Sequence, residues 1–401
     1  MKKLAIITTH PIQYNAPWFA MLSKRKRLEL KVFYTWQNAE KKFFDPDFKQ
    51  QLEWDIPLLD GYEYEFVKNT ASVQSSKSYY GIQNPDLNKR ILLYKPDAIL
   101  VFGWKLKSHL SAMKYFKGKI PVLFRGDSTL LDENGSGKDK IRRIILGHVF
   151  KNIDVALYVG MQNKNYFQNN GLKDYQLVYV PHAIDNKRFM DLPQSGTTQL
   201  EKWKRQLGIE KKKPVFLFVG KFEHKKNPLI LSEAAKELKT KSFRILFVGG
   251  GELEELLKKE SDLFAHLQIL PFQNQSLMPL VYRLGDVLVL PSKGPGETWG
   301  LAVNEAMACG LPVIVSDKVG CADDLVENNF NGFIFKSGDV SQLAEKMLFF
   351  IENKDKLIQM GLASRDKIDF WSFEQICDAV ERTMENLPQI MSKKVTRNES
   401  A

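Results

Sequence analysis

The sequence predicts an α/β protein built as two doubly wound domains, and three observations carry that expectation. The chain has 401 residues, more than one ordinary hydrophobic core encloses, so two domains are the natural division. Short apolar runs alternate with helix-length segments from end to end, the pattern of parallel strands covered by helices on both faces. With 44% hydrophobic and 26% charged residues, the composition is that of a soluble globular chain.

The first strand is expected over residues 4–8, behind the basic start Met1-Lys2-Lys3, because its apolar run is too short for a signal-peptide core. A helix over 16–23 follows. Further strands in the first half fall at 28–34, 98–102, 122–124, 155–159 and 176–180, and in the second half at 215–219, 244–248, 287–290 and 312–315. These divide the chain into a first domain over 1–190 and a second over 214–370. The polar stretch 191–213, running into Lys211-Lys212-Lys213-Pro214, is expected as the linker. Residues 371–387 read as a final helix that packs back on the first domain, and 388–401 as a mobile tail. Open parallel sheets bind ligands at the carboxyl ends of their strands, so the chemistry is expected where the two sets of strand ends face a shared cleft.

Three cysteines, Cys309, Cys321 and Cys377, lack metal-ligand or CxxC spacing, which suits a reducing compartment and makes the cytoplasm the expected location. No stretch approaches the about 18 apolar residues of a membrane span. Charge is uneven: residues 1–190 hold 30 Lys/Arg against 18 Asp/Glu, or +12, while the remainder carries −1 of the net +11. Such a basic half fits either an anionic membrane surface, with Lys24-Arg25-Lys26-Arg27 as the leading contacts, or a solvated face kept for solubility. Nucleic acid is not expected as a partner, since the basic runs lack interleaved aromatics or a known module.

The most informative stretch is Pro291-Ser292-Lys293-Gly294-Pro295-Gly296-Glu297-Thr298-Trp299-Gly300-Leu301-Ala302-Val303-Asn304-Glu305-Ala306-Met307-Ala308-Cys309-Gly310-Leu311-Pro312-Val313. A strand ends, a glycine-rich loop follows, and a helix begins near Trp299 and stops at Gly310 before Pro312. Free N–H groups at the helix start, around Gly300 and Leu301, form a site for a diphosphate. Glu297 before the helix and Glu305 within it suit hydroxyl recognition on a nucleotide sugar; two solvated glutamates beside a capped helix are the alternative. After strand 215–219 comes Gly220-Lys221-Phe222-Glu223-His224-Lys225-Lys226-Asn227-Pro228, whose lysines can neutralise a diphosphate leaving group or form a solvated loop. Gly249-Gly250-Gly251 after strand 244–248 allows close backbone approach, or is a tight turn only.

In this order the motifs resemble the retaining GT-B glycosyltransferases of family 4, specifically over about residues 213–387 and more loosely before. The family's two glutamates, with Gly-Leu and Glu-Ala-Met-Ala-Cys-Gly-x-Pro-Val, match the stretch from Glu297 to Val313. The resemblance implies a nucleotide-diphosphate sugar as donor, no cofactor, and retention of anomeric configuration. It implies that Lys221 and Lys226 hold the diphosphate, Glu297 positions the donor hexose and Glu305 holds the ribose. Gly220, Gly250, Thr298, Trp299, Gly300 and Leu301 complete the donor site, with Phe272 near the base.

The first half departs from the family. Its Gly-Gly loop is replaced by His10-Pro11-Ile12-Gln13-Tyr14-Asn15, so His10 is either a substrate contact or a structural histidine. A histidine usual after strand 122–124 gives way to Arg125-Gly126-Asp127-Ser128. Asp127, with Arg125 as partner, is the candidate for sugar or acceptor-hydroxyl contact; an Arg/Asp pair with a capping aspartate is the alternative. His182, in Pro181-His182-Ala183-Ile184-Asp185, is either an acceptor contact or a packing residue. Asp45-Pro46-Asp47 has the spacing of metal-binding carboxylates in another glycosyltransferase fold but lacks its surroundings, so no essential metal is expected. The expected acceptor is a saccharide or lipid-linked glycan of surface-polysaccharide assembly. Two rivals remain at this level: a nucleotide-sugar epimerase of similar architecture, and a non-catalytic basic module.

Overall fold

The computed structural model describes residues 1–36, 43–45, 50–52, 54–192, 194–209, 213–238 and 241–398. In chain order its strands are β1 (Lys2–Thr8), β2 (Leu28–Tyr34), β3 (Phe43–Asp45), β4 (Gln50–Leu52), β5 (Glu63–Phe66), β6 (Ala98–Phe102), β7 (Val122–Arg125), β8 (Val155–Tyr158), β9 (Leu177–Tyr179), β10 (Val215–Lys221), β11 (Arg244–Gly250), β12 (Leu267–Pro271), β13 (Val287–Leu290), β14 (Val313–Ser316) and β15 (Gly332–Phe335). The helices are α1 (Ala16–Lys24), α2 (Leu87–Tyr94), α3 (Lys107–Phe116), α4 (Gly137–Phe150), α5 (Met161–Asn169), α6 (Asn186–Met190), α7 (Gln194–Gln206), α8 (Leu229–Glu237), α9 (Glu254–Leu263), α10 (Met278–Tyr282), α11 (Leu301–Ala308), α12 (Ala322–Leu325), α13 (Val340–Glu352), α14 (Lys354–Ile368) and α15 (Phe373–Asn398).

The described residues divide into two compact units, one within Met1–Phe43, Pro57–His182 and Phe373–Ala401, the other within Phe44–Ile56 and Ala183–Ser372. The first holds a seven-stranded sheet of order β5-β2-β1-β6-β7-β8-β9, the second a six-stranded sheet of order β12-β11-β10-β13-β14-β15. Every pairing in both is parallel. Parallel strands are covered on both faces, which is why Leu4, Ala5, Ile6 and Ile7 of β1 and Val287 through Leu290 of β13 are wholly buried.

Capping sets several helix starts. Ser136 and Asp139 form a capping box at α4, and Asp339 accepts the Gln342 N–H at 2.9 Å at α13. Three features depart from expectation. The segment read as a linker contains α7, whose buried Leu200 is flanked by exposed polar residues. Strands β5, β12 and β15 occupy sheet edges. The last helix continues through Pro388 to Asn398 rather than giving way to a tail at 388. It is anchored by Ile376, Val380, Met384 and Leu387, which recur at helical spacing and are buried.

α15 packs on α1, where Arg25 Nη1 lies 2.5 Å from Asp378 and 3.2 Å from Glu381, and Arg27 Nη1 lies 3.3 Å from Glu381. Glu381 is 2% exposed. Two of the four basic residues expected to meet a membrane are therefore engaged in holding the last helix. Among the described residues no helix is long and apolar enough to cross a membrane.

Candidate active site

In the second unit the chain order reverses between β10 and β13, where an open parallel sheet leaves a crevice at its carboxyl end. Gly220 and Lys221 are the last residues of β10, and the following loop carries Lys225 and Lys226. β13 ends at Leu290 and leads into the loop bearing Glu297. The two loops are joined: the Lys293 N–H donates to the Lys225 carbonyl at 2.8 Å, and Lys226 Nζ donates to Glu297 Oε2 at 2.6 Å.

Glu297 is 8% exposed. Burial pushes its carboxyl up, but the Lys226 ammonium beside it, the Lys226 hydrogen bond and the Ser292 hydroxyl donating at 2.9 Å prevail. Together they hold the group below the usual carboxylate range. The Ser292 carbonyl in turn accepts from the hydroxyls of Ser316 and Ser337. This serine support was missed by sequence reasoning, although a serine at a strand end five residues before the glutamate was its available signal.

The glycine-rich loop is clamped from one side. Gly320 N–H donates to the Glu297 carbonyl at 3.0 Å and Cys321 N–H to the Trp299 carbonyl at 2.9 Å. A Cβ on Gly320 would stand 1.9 Å from the Thr298 carbonyl oxygen, so only glycine permits this approach. Gly300 caps α11 from the left-handed region, with φ of 98°. It offers no side chain to the first helical turn that Leu301 opens, which leaves N–H groups there suited to an anion. The Trp299 indole turns inward, is 3% exposed, and donates to Asn304 at 2.8 Å. Glu305, 3% exposed, accepts from the Tyr282 hydroxyl at 2.6 Å. Gly250 pairs in register with Lys221, and Phe272 stands half-buried just beyond β12.

The structure therefore brings Lys226 and Glu297 into direct contact, sets Lys221, Gly220 and Gly250 on the neighbouring strand ends, and holds Glu305 through a different partner. Among the described residues no group of three or more His, Cys, Asp or Glu side chains converges on a metal position. Pro46 and Asp47 lie outside the described residues, and Asp45 is described only as the last residue of β3.

The first unit carries its own group at the carboxyl ends of its strands. Arg125, last in β7 and 3% exposed, donates from its two terminal nitrogens to the Val180 and Pro181 carbonyls, each at 2.8 Å. Burial pushes its guanidinium down to about 10, against the pull of Asp127. Its hydrogen bonds thus hold the chain leaving β9, while Asp127 lies 3.8 Å from His182 Nε2. Burial lowers the His182 imidazole, with Asp127 acting the other way. His10 sits two residues past β1, its ring edge-on to Trp36 at 5.8 Å. Its Nδ1 and the Trp36 Nε1 are buried without a hydrogen-bond partner among the described residues, and burial lowers the His10 imidazole.

Sequence reading missed His109, which is fully buried on α3. Its Nδ1 faces the Phe102 carbonyl at 2.8 Å and its Nε2 the Thr35 hydroxyl at 3.0 Å. A carbonyl only accepts, so Nδ1 carries the proton and the neutral ring accepts from Thr35.

Residues 199–367 match the family model described as glycosyl transferases group 1. The UDP-Gal:alpha-D-GlcNAc-diphosphoundecaprenol alpha-1,3-galactosyltransferase of Escherichia coli is 31% identical over 183 residues, 44% of this chain and 45% of that protein. D-inositol 3-phosphate glycosyltransferase of Corynebacterium jeikeium is 25% identical over 271 residues, 64% of this chain and 63% of that protein. The chain thus spans 45% and 63% of the length of these two curated relatives. Sucrose-phosphate synthase from Thermosynechococcus elongatus matches with a TM-score of 0.73 over 96% of this chain and 99% of that one, at 18% identity, a likeness of fold. Two parallel Rossmann-like sheets with that likeness define the GT-B class. Within it, residues 199–367 of this chain are similar to the glycosyl transferases group 1 family.

Proposed function

We propose that this protein transfers a hexose-type sugar from a nucleotide-diphosphate donor to a saccharide or lipid-linked acceptor, with retention of configuration and without a metal. The observation that carries the reading is the Lys226–Glu297 pair, held by two loops at the point where the sheet order reverses. An ammonium has three donors, so Lys226 can keep Glu297 in place while turning toward a phosphate oxygen. Lys221 and the first N–H groups of α11 supply the remaining positive potential for the diphosphate. Glu297, kept ionised, accepts from hexose hydroxyls, and Glu305 from the ribose. Departure of the nucleoside diphosphate is the step this electrostatic set favours, and the leaving phosphate itself takes the acceptor proton on the same face.

In the first unit, Asp127, His182 and His10 are the proposed acceptor or sugar contacts, with Arg125 as a positioning residue through its two carbonyl bonds. The Escherichia coli relative acts on a sugar carried on diphosphoundecaprenol, which supports a lipid-linked acceptor as the class to test first. The test is incubation with a panel of nucleotide-diphosphate sugars, following slow release of nucleoside diphosphate. One productive base and sugar, with release suppressed in Glu297→Gln, is expected. No release from any donor, together with no calorimetric binding of UDP, GDP or ADP, would overturn the reading. Conversion of the donor sugar without an acceptor would replace transfer by epimerisation.

A further inference from the structure

We propose that α4 and the groove beneath its second half form a docking surface for an anionic phospholipid bilayer. α4 carries two apolar faces. One holds Leu146, Val149 and Phe150, which are buried in the unit. The other holds Ile141, Ile144 and Ile145, which are 62%, 64% and 50% exposed. Their i, i+3 and i+4 spacing puts these three isoleucines on one strip, turned away from the buried face. An outward strip of this kind needs an apolar neighbour outside the unit.

The flanks say which neighbour. At helical spacing, Lys140, Arg143 and Lys151 border the strip on one side, and Lys138 and Arg142 border it on the other. Lys138, Lys140, Arg143 and Lys151 make no ion pair among the described residues, while Arg142 lies over the Tyr166 ring. The one acidic residue in the helix, Asp139, is held in the capping box with Ser136. Beside the strip opens a cavity of about 480 Å³ whose lining includes Arg143, Ile144, His148, Lys151 and Lys173, and no carboxylate. An apolar strip between rows of cations, next to a basic hollow, matches the acyl and phosphate layers of an anionic bilayer. The Lys24–Arg27 run is a weaker contact, because Arg25 and Arg27 are paired with α15.

This inference stands apart from the transfer reading, since vesicle binding needs neither donor nor acceptor. The experiment is co-sedimentation of the full chain with phosphatidylcholine vesicles, with and without phosphatidylglycerol. Binding is expected only with the anionic lipid. It should fall by roughly tenfold or more in Ile141→Ser/Ile144→Ser/Ile145→Ser and in Arg143→Glu/Lys151→Glu. Lys24→Glu/Lys114→Glu, which removes the same charge from α1 and α3, should retain most of it. All these positions are exposed, so unchanged melting shows that the fold is intact. Absence of binding by the intact protein would overturn the proposal. So would equal loss in the control, which would mean diffuse charge, or equal binding to neutral vesicles. Capture of a protein partner by the isoleucine strip without vesicle binding would also overturn it.

Discussion

The 2.6 Å contact between Lys226 and Glu297 is where residue chemistry decides most. Lys225, one position earlier, is a more exposed lysine paired with Glu223 at 3.3 Å. A charged hydrogen bond to phosphate contributes about 1.5–3 kcal/mol. Lys226→Ala should therefore weaken nucleoside-diphosphate binding roughly tenfold to a hundredfold. Lys225→Ala should change it little. Calorimetric titration of the two variants checks this, and equal affinities would remove Lys226 from the donor site. His109 gives a second prediction at this scale. Burial pushes its imidazole down to about 4, whereas an unfolded histidine titrates near 6.5. The unfolded chain then binds the extra proton first. Stability should be full above about pH 6.5 and fall by up to about 3 kcal/mol as pH drops to 4. His109→Gln should flatten that limb in urea denaturation followed against pH; an unchanged slope would mean that other groups set it.

Between elements, the clamp of the Gly320 and Cys321 backbone on the Glu297 loop is the feature to test. Gly320→Ala would drive a methyl to 1.9 Å from a backbone oxygen, so the loop must move. Gly296, with φ of 92° and open space around it, would meet only conformational strain, about 1 kcal/mol. Gly320→Ala is expected to lose nucleotide binding and several kcal/mol of stability, while Gly296→Ala keeps most of both. Thermal melting with and without nucleotide separates them, and indistinguishable variants would contradict the clamp. Elements also show where sequence reading ran short. Of the strands not expected from sequence, β5, β12 and β15 are edge strands of the two large sheets. Glu63 and Tyr64 of β5 are exposed and Gln268 breaks the run in β12, so neither shows the continuous apolar signature of a central parallel strand. Helix α7 reads as a linker in sequence because its surface is nearly all polar.

For the molecule as a whole, the charge imbalance between halves resolves into particular tasks. Some of the first unit's cations hold its own helices, as Arg25 and Arg27 do against Glu381, whereas Lys138, Lys140 and Arg143 of α4 make no ion pair among the described residues. In the second unit, Lys221 and Lys226 are assigned the positive charge that the proposed reaction requires. Transfer should consequently survive excess EDTA. Loss of activity on chelation, restored by an added divalent cation, would show that lysines do not supply that charge alone and would return attention to Asp45 and Asp47.

The two-domain α/β class, the central strands, and the loop-to-helix stretch from Glu297 to Val313 are legible in the chain alone, because periodicity, capping and glycine placement are local properties written in consecutive residues. Tertiary structure alone decided who meets whom. Lys226 and Glu297 are 71 positions apart and touch because β10 and β13 are neighbours at the reversal of strand order. Arg125, whose guanidinium also feels the Asp127 charge, donates to two carbonyls 55 and 56 positions away, since a buried guanidinium must satisfy its donors where the fold supplies acceptors. Arg25 finds Glu381 across 356 positions because the last helix returns to α1. Pattern fixes an element, but a charged side chain's partner follows from strand order and packing, which no local spacing encodes.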